Sequence, residues 1–403
     1  MHLQRIQVPD FRVLKDVDII FEKEFEPPIF PLGSLNGGGK STLLQLIFIL
    51  LHCSIKPEQI EFLKNLLQGF KIREDEDKRV LAIIDIWHSE KTIQINFSSY
   101  PYFYFKHLLN EKYQNSQLNL KYNDDYISIR QDEISQKIES YFTSEGLLYI
   151  CDYKQTEELY NNEEETAAIL LCHIDGIDIT EAEYFLQELS KQVFLAAPAT
   201  QVFLFLSQEC RKLLFRKEND QSNYYLHFEE AKSKLPGFFA YDFVAVELLI
   251  EAFIAARDRD FRQAIETGEY GNNYQAILNE LKLVLGNKKV NITTDFSGIS
   301  FTLDKDGETI ELYPEDLSHG ELKRLSIYIW LKYRNIEDAI VLMDEIEIAF
   351  HPDWQYQIIS DLKEWAPNNQ YILATHSYEL CQALTPSHVK EIEPKLIKPE
   401  SQN

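Results

Sequence analysis

Asn36-Gly37-Gly38-Gly39-Lys40-Ser41-Thr42 decides how this chain is read. Before it, Pro31-Leu32-Gly33 ends a short strand. After it, Ser41 to His52 is almost wholly apolar, which suits a helix buried on most sides. Glycines between a strand and a helix let successive backbone N–H groups curl around phosphate oxygens, and the helix N-terminus adds its positive dipole end. Lys40 then supplies a point charge for the outer phosphates, and Ser41 a hydroxyl for Mg2+. Asn36, Gly37, Gly38, Gly39, Lys40, Ser41 and Thr42 are the nucleotide-binding candidates, with ATP and Mg2+ as the implied ligands. In the full Gly-x-x-x-x-Gly-Lys-Ser pattern the first glycine falls at Ser34, which makes the turn less easy but removes no phosphate donor.

A second stretch completes the chemistry. Ala339-Ile340-Val341-Leu342-Met343 is an apolar strand that ends in Asp344-Glu345. Such a run belongs at the centre of a sheet, and the carboxylates emerge at its C-terminal edge, where open α/β sheets bind ligands. Asp344 suits a Mg2+ partner, and Glu345 a base that orients the attacking water. Around them the final third alternates. Glu321 to Tyr333 and Asp353 to Trp365 read as helices, and Tyr371 to Ala374 as another strand. That order predicts a parallel sheet flanked by helices.

Three further motifs carry a family resemblance. Leu317-Ser318-His319-Gly320-Glu321, followed by a helix, resembles the ABC signature, and Ala374-Thr375-His376-Ser377 resembles the switch-histidine loop. Asp344-Glu345-Ile346-Glu347-Ile348-Ala349-Phe350-His351-Pro352 resembles the Walker B and D-loop of one ABC branch. That branch contains RecF, the structural-maintenance-of-chromosomes proteins and the overcoming-lysogenization-defect ATPases. Asp10-Phe11-Arg12 is similar to the branch's Asn-Phe-Arg, with Asp10 departing from it. The motifs occupy roughly residues 1–55 and 310–385, in the family's order.

The resemblance implies an α/β P-loop NTPase fold, an ABC-type ATPase head. It also implies a head-to-tail homodimer with two sandwiched nucleotides. Ser318 and Gly320 would contact the γ-phosphate held by the opposite subunit, His376 would sense that phosphate, and Arg12 would touch nucleotide. A glutamine on Mg2+ is expected as well. Gln201, after Ala196-Ala197-Pro198-Ala199-Thr200, and Gln208 are its candidates, with surface glutamine as the plainer reading.

The core is therefore expected over residues 1–55 and 310–403, with strands from about 80–100 and 290–312. A mainly helical insertion with hairpins is expected over 100–290. Val80 to Trp87 and Thr92 to Phe97 read as a hairpin, as do Leu118 to Tyr122 and Tyr126 to Arg130. Thr180-x-x-Glu183 reads as a capping box, and Phe238 to Ile265 and Asn273 to Leu285 as long helices. Val290 to Thr294 and Ile299 to Leu312 return to strand, with a turn at 304–307. Glu230-Ala231-Lys232 echoes metal nucleases but lacks a well-placed strand aspartate. Cys210-Arg211-Lys212 to Arg216-Lys217 is the clearest basic cluster, and reads first as a solvated helix face. Tyr100 to Phe105 suits either strand packing or a docked partner.

Composition narrows the setting. The 403 residues are 45% hydrophobic, enough for a substantial core. Neither an apolar run of membrane-spanning length nor a secretory leader is present, and the five cysteines include no Cys-x-x-Cys pair. A cytoplasmic protein is the expectation. The net charge of -25 opposes nucleic-acid phosphate at long range, so nucleic acid is not the indicated ligand, though a local basic patch would admit it. With 27 residues after His376, the C-terminal nuclease domain of the overcoming-lysogenization-defect enzymes is not expected.

The form resembles the stand-alone ATPases of bacterial anti-phage and retron systems. It implies that ATP-dependent dimerisation gates a partner effector, a nuclease or a toxin. The alternatives are a DNA-repair ATPase of RecF type, a transporter ATPase, and a slow nucleotide switch that scaffolds its partner.

Overall fold

The computed structural model describes residues 1–34, 37–73, 75–102, 142–155, 167–207, 210–211, 229–241, 245–305 and 307–392. Two large sheets organise them. The first is antiparallel, in the order β2-β1-β4-β5-β7-β6. It comprises β1 (His2–Phe11), β2 (Leu14–Ile20), β4 (Arg79–His88), β5 (Lys91–Pro101), β6 (Leu147–Lys154) and β7 (Ala167–Asp175). The second is parallel throughout, in the order β15-β3-β14-β13-β8-β9. Its strands are β3 (Ile29–Gly33), β8 (Val193–Ala197), β9 (Phe238–Ala240), β13 (Ile340–Asp344), β14 (Gln370–Ala374) and β15 (Lys390–Glu391). A small antiparallel sheet, β10 (Lys288–Ile292), β11 (Ile299–Lys305) and β12 (Glu308–Leu312), lies beyond.

The parallel sheet is covered on both faces, so its central strands carry no polar alternation. Every residue of β13 and β14 is buried. Alternate side chains still divide between two cores, as strand geometry requires. Ile340, Leu342, Ile372 and Ala374 join the core shared with the antiparallel sheet and α1 (Lys40–Phe48). Val341, Met343, Tyr371 and Leu373 face the core built by α4 (Ala245–Thr267), α5 (Asn273–Leu285), α6 (His319–Tyr333) and α7 (Pro352–Trp365). The two sheets are tied by Gln370, whose side chain accepts from Leu3 N and donates to Leu3 O, both at 2.8 Å. Those bonds satisfy a buried amide that would otherwise cost its desolvation.

The fold is α/β with a P-loop between β3 and α1. Several local expectations need correcting. Phe238 to Ala240 pairs with Leu195 to Ala197 as an edge strand, and the helix expected from Phe238 begins at Ala245. Sheet pairing of two buried phenylalanines outweighs their place in a helical pattern. The cap of α3 (Ile179–Lys191) is Asp178 rather than Thr180: its carboxylate accepts from Thr180 N at 2.9 Å and from the Thr180 hydroxyl at 2.7 Å. The helix expected over Ser41 to His52 stops being α at Phe48 and continues as a π-helical turn, Ile49–Cys53. Residues 100–290, expected to be mainly helical, contribute β6, β7, β8 and β9 to the large sheets as well as α3, α4 and α5. The hairpin over 118–130, most of the basic cluster (212–217), part of the aromatic run (103–105), Gln208 and Asn36 lie outside the described residues. Among the described residues no helix is long and apolar enough to cross a membrane.

Candidate functional site

The site forms where β3, β13 and β14 end. Gly39 caps α1 at φ 92°, a left-handed backbone that favours glycine. It also lies under the β1–β2 turn, where a Cβ would come 2.6 Å from Leu14 Cδ2 and 3.0 Å from Val13 Cγ2. That turn therefore presses directly on the phosphate loop. Lys40 is buried, and its ammonium donates to the carbonyl and hydroxyl oxygens of Ser34, each at 3.1 Å. Burial lowers its pKa, opposed by Asp344, Glu347 and Glu345.

Asp344, 2% exposed, closes β13 beside the loop. Burial pushes its carboxyl up to about 6, against a hydrogen bond from Ser41, with Glu345 and Glu347 adding to the rise and Lys40 opposing it. Gln201, in the 3-10 turn Ala199–Phe205 after β8, donates its amide to Asp344 Oδ2 at 2.5 Å. Gln45, buried on α1, donates in turn to Gln201 Oε1. Ser41, Asp344 and Gln201 thus meet from three separate elements.

Glu345 follows at φ 52°, outside the strand conformation. Its N–H donates to Ala374 O at 3.0 Å, and its carbonyl accepts from Lys323 Nζ at 2.8 Å. Backbone held in this region needs surrounding contacts to maintain it, a pattern typical of functional sites. Glu347 turns inward instead. Its Oε1 accepts from His376 N at 2.7 Å, while Oε2 is buried without a partner among the described residues. The His376 side chain is exposed. Next to it, Ser377 caps α8 (Tyr378–Gln382), accepting from Leu380 N and donating to Gln355 Oε1 at 2.6 Å.

Ser318 and Gly320 open α6. The Ser318 hydroxyl accepts from Glu321 N at 3.3 Å and donates to Glu321 Oε2 at 3.0 Å, a capping box held further by a Lys288–Glu321 ion pair. Ser318 itself is exposed. Gly320 is buried against the 345–350 turn. Arg12 takes a different direction from the phosphate loop: its guanidinium donates to Leu66 O at 2.9 Å, at the C-terminal turn of α2 (Ile60–Leu67). Its neighbours Val13 and Leu14 are the residues that reach Gly39.

Mg2+ bound with ATP fits these residues. A buried carboxylate whose close partners are a hydroxyl and an amide, with two further carboxylates nearby, lacks a full compensating charge. Sequence reasoning did not single out Gln45, Glu347 or Lys323. Gln45 breaks the apolar run of α1, and that interruption was its one signal. Glu347 and Lys323 look like ordinary polar positions until the 345–350 turn folds over them.

The family described as AAA ATPase domain matches residues 1–381. The chain is 31% identical over 119 residues to the "Retron Vc95 probable ATPase" of Vibrio cholerae serotype O1 biovar El Tor, a stretch covering 26% of this chain and 23% of that protein. It is 40% identical over 51 residues to the "Retron Ec83 probable ATPase" of Escherichia coli, covering 13% of this chain and 9% of the relative. These matches span less than a quarter of either relative. Among solved structures, the SMC head domain from Thermotoga maritima superposes with a TM-score of 0.42 at 9% identity, over 95% of this chain and 92% of that one. With a family match from residue 1 to 381, the chain belongs to the AAA ATPase domain family.

Proposed function

We propose that this chain binds Mg-ATP, hydrolyses it between two copies of itself, and through that ATP-dependent dimerisation gates a partner effector in bacterial anti-phage defence. The meeting of Ser41, Asp344 and Gln201 beside the phosphate loop is the observation that carries the reading. Lys40 and the N–H groups of Gly37 to Thr42 bind the phosphates. Ser41, Asp344 and Gln201 hold Mg2+, which when bound neutralises charge on the phosphate oxygens. Glu345 takes the proton of the attacking water. His376 senses the γ-phosphate from its exposed position after β14. Ser318 and Gly320 complete the partner's site from the N-terminus of α6. Arg12, whose guanidinium donates to Leu66 O, is the further nucleotide contact that the family resemblance implies. The ATPase core is built from residues 1–55 and 310–403 together with the strands that the intervening segment adds to both large sheets. The two retron ATPases among the relatives support the defence setting, with a nuclease or toxin as the effector and the cytoplasm as its place.

Glu345→Gln tests this. The variant should bind Mg-ATP, lose turnover, and shift in light scattering from about one to about two chain masses when ATP is added. Full turnover by the variant would remove Glu345 from the base role. A mass unchanged by ATP would remove the sandwich dimer.

A further inference from the structure

The turn that carries Glu345 is held by a helix distant in sequence. Residues 345–350 lead from β13 to α7, and both Glu345 and Ala349 sit at positive φ, 52° and 70°. Two contacts from α6 hold this backbone. Lys323 Nζ donates to Glu345 O at 2.8 Å and to Ile348 O at 3.2 Å. Gly320 packs so closely that a Cβ there would lie 2.6 Å from Ala349 O and 3.3 Å from the Trp354 ring.

Lys323 is 6% exposed. Its ammonium lies 4.0 Å from the Tyr241 ring centroid and 5.5 Å from that of Phe350. Burying an ammonium is unfavourable unless carbonyls and ring faces replace water around it, and all of these are present. An apolar side chain would fill the same volume without that cost. What the cation adds is a pair of charge-assisted bonds to two carbonyls of one strained turn. On the other side, Glu345 N is bonded to Ala374 O at 3.0 Å. The backbone of Glu345 is therefore clamped between β14 and α6, and α6 is the helix that Ser318 caps.

We propose that Lys323 is a positioning residue that makes the two ATP sites of a dimer cooperative. The inference rests on the sandwich dimer proposed above. Ser318 and Gly320 meet nucleotide bound by the partner. Any shift of the α6 N-terminus on that contact reaches the carbonyls of Glu345 and Ile348 through Lys323 and the Gly320–Ala349 contact. The base in one subunit is then aligned by the nucleotide of the opposite site. Two sites linked through one helix share a coupling free energy, which appears as cooperative hydrolysis.

Hydrolysis measured against Mg-ATP concentration tests the proposal on the full chain, its Lys323→Met variant and its Lys323→Arg variant. Binding of a fluorescent ATP analogue is read in parallel. The parent should show a Hill coefficient approaching about 2, the ceiling for two sites. Lys323→Met should fall toward about 1 and lose about tenfold in turnover, with analogue affinity within about threefold. Lys323→Arg should recover part of both losses. A merely structural lysine would instead weaken binding and turnover together. Should Lys323→Met fail to fold, Lys323→Gln, which keeps an N–H donor at the same place, is measured with the same two outcomes. Parental turnover and Hill coefficient in Lys323→Met, or in Lys323→Gln where that variant takes its place, overturn the proposal, as does a parent that hydrolyses ATP without cooperativity. Failure of the underlying reading looks different: the parent's mass in light scattering would not change when ATP is added, or the parent would neither bind the analogue nor hydrolyse ATP.

Discussion

Gln201 donates to Asp344 Oδ2 at 2.5 Å while accepting from Gln45, so a residue after β8 is held between the phosphate-loop helix and the end of β13. The relay fixes both the Gln201 carboxamide and the Asp344 carboxylate, the two groups proposed above as Mg2+ partners. Gln201→Ala should reduce turnover by about 10–100-fold and move its Mg2+ dependence to higher concentration. Hydrolysis titrated with Mg2+ at fixed ATP checks this, and an unchanged Mg2+ curve would separate Gln201 from the ion.

Asp344 makes stability depend on pH in an unusual direction. Its folded pKa, about 6, lies above the ordinary 3.8, so between those values the folded protein holds a proton that the unfolded chain releases. The contribution is fully present below about pH 4 and is lost as pH rises through about 6. Asp344→Asn removes the titration. Without nucleotide it should raise stability at neutral pH by up to about 3 kcal/mol, with little change near pH 4, while abolishing hydrolysis. Denaturant melts of both proteins across this range give the comparison. A variant no more stable at neutral pH would argue against a burdened Asp344.

Glu347 ties the end of β13 to the segment after β14 through His376 N. Glu347→Ala removes the charged acceptor of that part-buried N–H, and should cost about 1–3 kcal/mol and slow hydrolysis with little loss of ATP affinity. Glu347→Gln keeps an acceptor and should restore most of the stability. Parallel melts and turnover measurements distinguish the two. Equal behaviour of Ala and Gln would mean that the hydrogen bond does not position His376.

Much of this fold was legible because its signals are short-range. The glycine run before Lys40, the apolar strand before Asp344 and the alternation of strands and helices after Glu321 are each read within a few residues. Their physics is local: backbone freedom at Gly39, burial of β13 on both faces, a hydroxyl cap at Ser318. What depends on neighbours far along the chain was not legible. Phe238 to Ala240 becomes a strand only because β8 offers an edge, and Arg12 turns to Leu66 only because α2 ends beside it. Gln201 stood among ordinary glutamines until β8 placed it next to Asp344. Lys323 carries no sequence signal, since a buried lysine and a solvated one read alike, and Glu347 carries none beyond its place in the Asp344–Pro352 motif. The sequence by itself determined the phosphate loop, the acidic strand end and the α/β order. The tertiary structure decided which polar side chains those elements would enclose, because the desolvation that makes a lysine, glutamate or glutamine consequential arises only when distant segments exclude water from it.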